Sequence, residues 1–229
     1  MRLPHLLPVM LCALVASAGC SQEEPTKAKL GPINIDPLPR TPQQAVVRWI
    51  GEYEHKNVDG YMAMFTGDFT YEFSNETDPT LVNQYSNGWF KIDEKESASH
   101  LFSGFTVPGG TKYPAASSIY INLATTSPED DTTRGVDPAT HKILITRVDG
   151  SVTIPQMNAD PLTYVITNNL SAFYLVRGDV AVNLESTQPA DDQHWYIYRW
   201  VDLSSGVSAG LAPQAVASKT WGALKAIYR

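Results

Sequence analysis

Cysteine is almost absent: Cys12 and Cys20 are the only two in 229 residues. Both lie within the first twenty positions, so the body of the chain has no thiol with which to form an internal disulfide or a cysteine-based centre. Basic residues are also few, 17 against 24 acidic ones for a net charge of −7. That balance excludes a broad charge-driven grip on nucleic acid or on anionic lipid. Hydrophobic runs are short; the longest, Leu6 to Ala18, falls below the length needed to span a bilayer. Catalytic punctuation is missing as well, with no nucleophile elbow, phosphate loop or paired-histidine zinc motif. A domain built from this chain must be held by its core alone.

What is present begins with an address. Met1-Arg2 supplies a short positive n-region, Leu6 to Ala18 an apolar core, and small residues follow, which together read as an export signal. Leu14-Val15-Ala16-Ser17-Ala18-Gly19-Cys20 resembles a bacterial lipobox, with Ser17 standing where leucine is commoner. The resemblance implies a signal peptide over 1–19 and a lipidated, N-terminal Cys20. Ser21 in place of aspartate favours the outer membrane, facing the periplasm. Residues 20–40 then read as the lipidated cysteine and a tether, with prolines at 25, 32, 37 and 39 and no apolar period. An extended tether of that kind, at about 3.1 Å per residue, reaches roughly 60 Å from the lipid surface.

From Thr41 the pattern changes. Thr41-Pro42 reads as N-cap and first helical residue, with Val46, Trp49, Ile50 and Tyr53 at helical spacing. The Asp59-Gly60 pair reads as an interruption before a short helix over Tyr61 to Phe65 that ends at Gly67. Asp68 to Phe73 alternates strictly and predicts a half-buried strand. A third helix is expected from about Asp93 to Phe102. β-Branched and aromatic residues predict strands over 118–124, 141–148, 171–182 and 194–202, and a last one over 221–228. The polar stretch from Thr125 to Thr140 reads as a projecting loop. The expectation is a single α+β domain over 41–229.

The opening helix with Thr41-Pro42, the Asp59-Gly60-Tyr61 break and Gly67-Asp68-Phe69-Thr70-Tyr71-Glu72-Phe73 resemble the start of nuclear transport factor 2-like domains, the family that includes polyketide cyclase-like proteins. Trp89 with Glu94 and Glu96, Trp195 to Asp202, and Trp221 to Tyr228 are similar to bacterial exported lipoproteins built on such a domain. The resemblance implies N-terminal helices packed into a strongly curved antiparallel sheet, a cystatin-like cone. It implies no particular reaction, because none of the family's catalytic positions in the mouth of the cone is matched residue by residue. It carries over no cofactor either.

Several residues invite a chemical reading. Glu96 and His100 share a helical face four residues apart and suit either a metal pair or an ion pair. His141 and His194 open strands. Glu129-Asp130-Asp131 could hold calcium, but it lacks the alternating ligands and central glycine of a calcium loop. Tyr53, Trp89 and Tyr198 are candidates for the wall of a pocket in the cone. Arg147, Arg177 and Arg199 fall on three successive strands and would make an anion site if adjacent on one face. The functional expectation is a lipid-anchored periplasmic protein that binds a small ligand or an envelope protein without catalysis. The alternative is an isomerase, dehydratase or cyclase that uses the cone as its active site.

Overall fold

The computed structural model describes residues 38–229, apart from 77–78, 125, 133–134, 136, 205–215 and the side chains of 216–218. The signal sequence, Cys20 and most of the tether therefore lie outside the described residues. The tether's last residues do not. Pro39 is buried, and its carbonyl accepts from the Trp195 N–H at 3.1 Å, so packing begins before Thr41.

Helix α1 (Pro42–Glu54) starts as its sequence dictates, with Thr41 Oγ1 accepting from the Gln44 N–H and Ala45, Val46, Trp49 and Tyr53 on the buried face. Helix α2 (Val58–Met62) differs from expectation. Asn57 Oδ1 accepts from the Gly60 N–H at 3.2 Å, so Asp59 and Gly60 form the first turn of the helix, and Phe65 already belongs to strand β1 (Phe65–Glu72). Helix α3 (Pro79–Gln84) and strand β2 (Trp89–Phe90) lead into α4 (Lys91–Ser103), whose entry is fixed by the Phe90 N–H bonding Asp93 Oδ2 at 2.8 Å. A small hairpin, β3 (Phe105–Thr106) and β4 (Lys112–Tyr113), precedes β5 (Ser118–Leu123) and β6 (Glu129–Asp130). The segment from Thr125 to Thr140 is thus partly packed, through β6.

Strands β7 (His141–Gln156) and β8 (Ala159–Arg177) form one long hairpin that turns at Met157-Asn158, with Asn158 at φ 63°. Polar Ser, Thr and Asn residues on the hairpin's far half hid half of each strand from the sequence pattern. Strands β9 (Trp195–Asp202) and β10 (Val216–Ser218) and helix α5 (Trp221–Ile227) complete the chain. The last segment, expected as a strand, is a helix: Thr220 Oγ1 accepts from the Ala223 N–H at 3.0 Å, and Ala, Leu and Lys favour the helix that follows.

The main sheet runs β2-β1-β9-β8-β7-β5, with β6 joined to β7 and β10 to β8. Most pairs are antiparallel, while β1–β9 and β8–β10 are parallel, so the sheet is mixed. Register shifts at Val148/Gly150 and Tyr174/Leu175 bend it. The fold is α+β, with helices packed into a curved sheet in the cone arrangement expected from the sequence.

Candidate functional site: a filled cone and an outer groove

Trp49 sits at the centre of the space between helices and sheet. Its ring lies 4.9 Å from Trp200, 5.3 Å from Phe173, 6.1 Å from Tyr53 and 6.3 Å from Trp221. Tyr61, Phe65, Phe69, Tyr71 and Trp89 complete a fully buried aromatic filling. Packing of this density leaves side chains where an open cone would hold a ligand.

The residues expected to wall a pocket are separated by one bulge. Tyr174 pairs with Arg199 and Leu175 with Ile197, so Tyr198 is the extra residue on β9. Ile197 and Trp200 both enter the main core, while Tyr198 joins a second cluster with Val176 and Tyr196, covered by Ala181 and Leu184. Tyr53 and Trp89 lie inside the cone and Tyr198 outside it, so the three line no common pocket. The Tyr198 hydroxyl donates to the buried carboxylate of Asp131. Both faces of β9 are covered, one by the helices and the other by the strand connections.

The arginines are likewise dispersed. Arg177 pairs with Asp179 at 2.7 and 2.9 Å. Arg199 makes a two-pronged bond with Glu72 at 2.6 and 2.9 Å and lies 4.7 Å over the Tyr174 ring. Arg147 pairs in register with Leu170, seven residues along β8 from Arg177. No shared anion site forms, because the register spreads the three along the strands and two hold carboxylates of their own.

The remaining candidates have structural duties. Arg229 bonds Asp93 and Glu96, and His100 Nδ1 lies 2.8 Å from the Tyr228 carbonyl with its ring stacked on Phe105, so Glu96 and His100 brace the C-terminal segment. His141 contacts Thr140, and His194 pairs with Asp191 at 2.6 Å. Asp130 pairs with Lys142 at 2.5 Å. Among the described residues no group of three or more His, Cys, Asp or Glu is placed to hold a metal ion.

Two features were not read from the sequence. The first is an ion pair inside the cone. Glu94 of α4 and Lys225 of α5 each expose 1% of their side chains, and Nζ stands 2.7 Å from Oε2. Trp89 Nε1 donates to the same oxygen at 2.8 Å, and the Tyr61 hydroxyl donates to Oε1. The ammonium also lies over the Trp200 ring at 3.7 Å and the Tyr71 ring at 4.0 Å. Burial pulls the Lys225 pKa down to about 8 against the opposing pull of Glu94. Burial, and then the Glu94 charge, hold the Tyr53 and Tyr61 hydroxyls well above the ordinary tyrosine range. The partners are 131 residues apart in sequence, so no local pattern announces them. Nearby, the Trp200 and Trp221 indole N–H groups are buried with no acceptor among the described residues.

The second is a groove of about 670 Å³ on the outside, lined by Asp59, Met62 and Ala63 from the α2 region, by Lys91, Ile92 and Lys95 from the start of α4, and by Glu185. Its walls are fixed. Gln188 Nε2 donates to the Ala63 and Phe65 carbonyls at 2.9 and 2.8 Å, while Lys91 Nζ reaches the Phe65 carbonyl at 2.8 Å and Glu185 at 2.7 Å. Ile92 is 69% exposed on the rim.

Against known proteins, no family model and no curated protein matches the chain. Solved structures similar to it include a ketosteroid isomerase-like protein from Erwinia carotovora atroseptica, at 10% identity over 71% of this chain and 93% of that one, TM-score 0.39. A protein named as a candidate scytalone dehydratase from Novosphingobium aromaticivorans aligns at 8% identity over 75% and 92%, TM-score 0.45. An NTF-2 like protein of unknown function from Shewanella oneidensis aligns at 11% identity over 69% and 93%, TM-score 0.28.

Proposed function

We propose that the chain is a lipid-anchored protein of the bacterial envelope, on the periplasmic side of the outer membrane, that acts as a binding or assembly accessory through its outer surface and not as an enzyme working inside the cone. The observation that supports this reading is the occupied interior: Trp49, Tyr53, Tyr61, Trp200, Trp221 and the Glu94–Lys225 pair stand where substrate would have to enter. The groove offers what the interior does not. Its volume falls in the usual range of small-ligand and side-chain sites, its walls are preorganised by Gln188 and Lys91, and an apolar rim at Ile92 lies beside charges of both signs.

The test uses the full lipidated chain and compares envelope proteins retained by the wild type, by Ile92→Arg with Lys95→Glu, and by Tyr120→Arg on the far edge strand. Retention lost with the groove changes alone supports the reading. Retention indifferent to them, or turnover of a small substrate by the intact protein, overturns it.

A further inference from the structure

The interior charge is arranged as a recognition site and not merely as a bridge. An ammonium carries three N–H donors and prefers aromatic faces and carboxylates around it. Lys225 Nζ has these partners: Glu94 Oε2 at 2.7 Å, the Trp200 ring at 3.7 Å and the Tyr71 ring at 4.0 Å. The carboxylate of Asp202 adds a further favourable field. The box stands on elements other than the one that fills it. Tyr71 comes from β1, Glu94 from α4 and Trp200 from β9, and Glu94 is held in place from the far side by Tyr61 and Trp89. Its occupant arrives on α5, which is itself fastened by backbone and terminal contacts: Ser97 Oγ to the Lys225 carbonyl at 2.9 Å, and Arg229 to Asp93. Receptor and occupant are thus separately supported, so the walls have holds of their own apart from the lysine side chain.

We propose that Glu94, Tyr71 and Trp200 form a binding site for a primary alkylammonium group, filled in this structure by the chain's own Lys225, and that a small primary amine takes that place when the lysine side chain is removed. Helix α5 then acts as a tethered ligand. Two features set the ligand class: one carboxylate, Glu94, to neutralise one charge, and the Trp200 and Tyr71 ring faces at 3.7 and 4.0 Å, which attract a cation. This inference does not depend on the groove.

The experiment uses the full chain with Lys225→Ala, which deletes three methylenes and the ammonium, and the probe is n-propylammonium chloride. Saturable thermal stabilisation of the variant by several degrees is expected at millimolar amine, with little change from sodium chloride or 1-propanol and none in Lys225→Ala/Glu94→Gln. If Lys225→Ala alone does not fold, refolding in the amine should recover it, and Lys225→Met supplies a neutral variant of similar length that should not respond. Lys225→Ala that folds but ignores the amine overturns the proposal. So does Lys225→Ala that fails to fold and is not recovered, and so does equal stabilisation by 1-propanol.

Discussion

Glu94 and Lys225 illustrate how a buried charge constrains its neighbours. Glu94→Gln strands a desolvated ammonium and should cost about 3–5 kcal/mol, whereas Lys225→Met should cost less because burial already disfavours the lysine charge, and the double change should recover much of the Glu94→Gln loss. Urea denaturation midpoints for the two single variants and the double variant check this. The pair also sets a pH dependence. Lys225 binds its proton more weakly when folded, at about 8 against the ordinary 10.5, so between those values the unfolded chain holds a proton that the folded one has released. Stability contributed by this group therefore rises with pH through the window, by up to about 3 kcal/mol. Tyr53 and Tyr61 act in the opposite sense, because their folded values are raised and stability falls once unfolded tyrosines ionise above about pH 10. Denaturation midpoints should climb between pH 8 and 10 and then drop. In Lys225→Met the climb should be absent; a climb that persists would show that another group drives it.

At the scale of elements, the legible parts are those with local signals. Thr41-Pro42 caps α1 as read, and the alternation of Phe69 and Tyr71 buries one face of β1, with Phe73 buried just past its end. The misread parts depend on distant partners. Trp221 to Tyr228 carries the aromatic and β-branched residues of a strand, yet its hydrophobic face is set by contacts with Tyr71, Phe73 and α4 that only the fold supplies. Gly222 marks how close that contact is, since a Cβ there would stand 2.8 Å from the Phe73 ring and 3.1 Å from the Tyr71 hydroxyl. The bulge that sends Tyr198 outward has no glycine or proline to mark it, so the expected pocket could not be tested from the spacing. Trp89 lies wholly in the core and donates to Glu94. Trp89→Ala should therefore remove packing and a hydrogen bond together, at a cost of about 3–5 kcal/mol or more, seen as a large fall in melting temperature with no ligand able to restore it. A loss below about 1 kcal/mol would mean that the site relaxes around the cavity.

For the whole molecule, the decisive relation is between the end proposed to carry the lipid and the folded end. The sequence marks residues 20–40 as a tether, but the Trp195 N–H bonds the Pro39 carbonyl and Pro39 is buried, so the folded part includes at least Pro39 and Arg40. Deleting 21–37 should barely move the melting temperature, whereas deleting 21–40 also removes the Pro39 contact and the Arg40 N–H bond to Gln44 Oε1 beside the α1 cap. The longer deletion should cost on the order of 1–2 kcal/mol, or roughly 2–8 °C. Anchoring is separable from both. Cys20→Ala should abolish acyl labelling and release the protein from the membrane fraction while the domain melts unchanged, because its core contains no cysteine. Labelling that survives the change would remove the lipid anchor, and with it the outer-membrane address. Loss of labelling with full retention in the membrane would show that the folded surface itself holds the protein there, and the groove around Ile92 and Lys95 would be the first place to mutate.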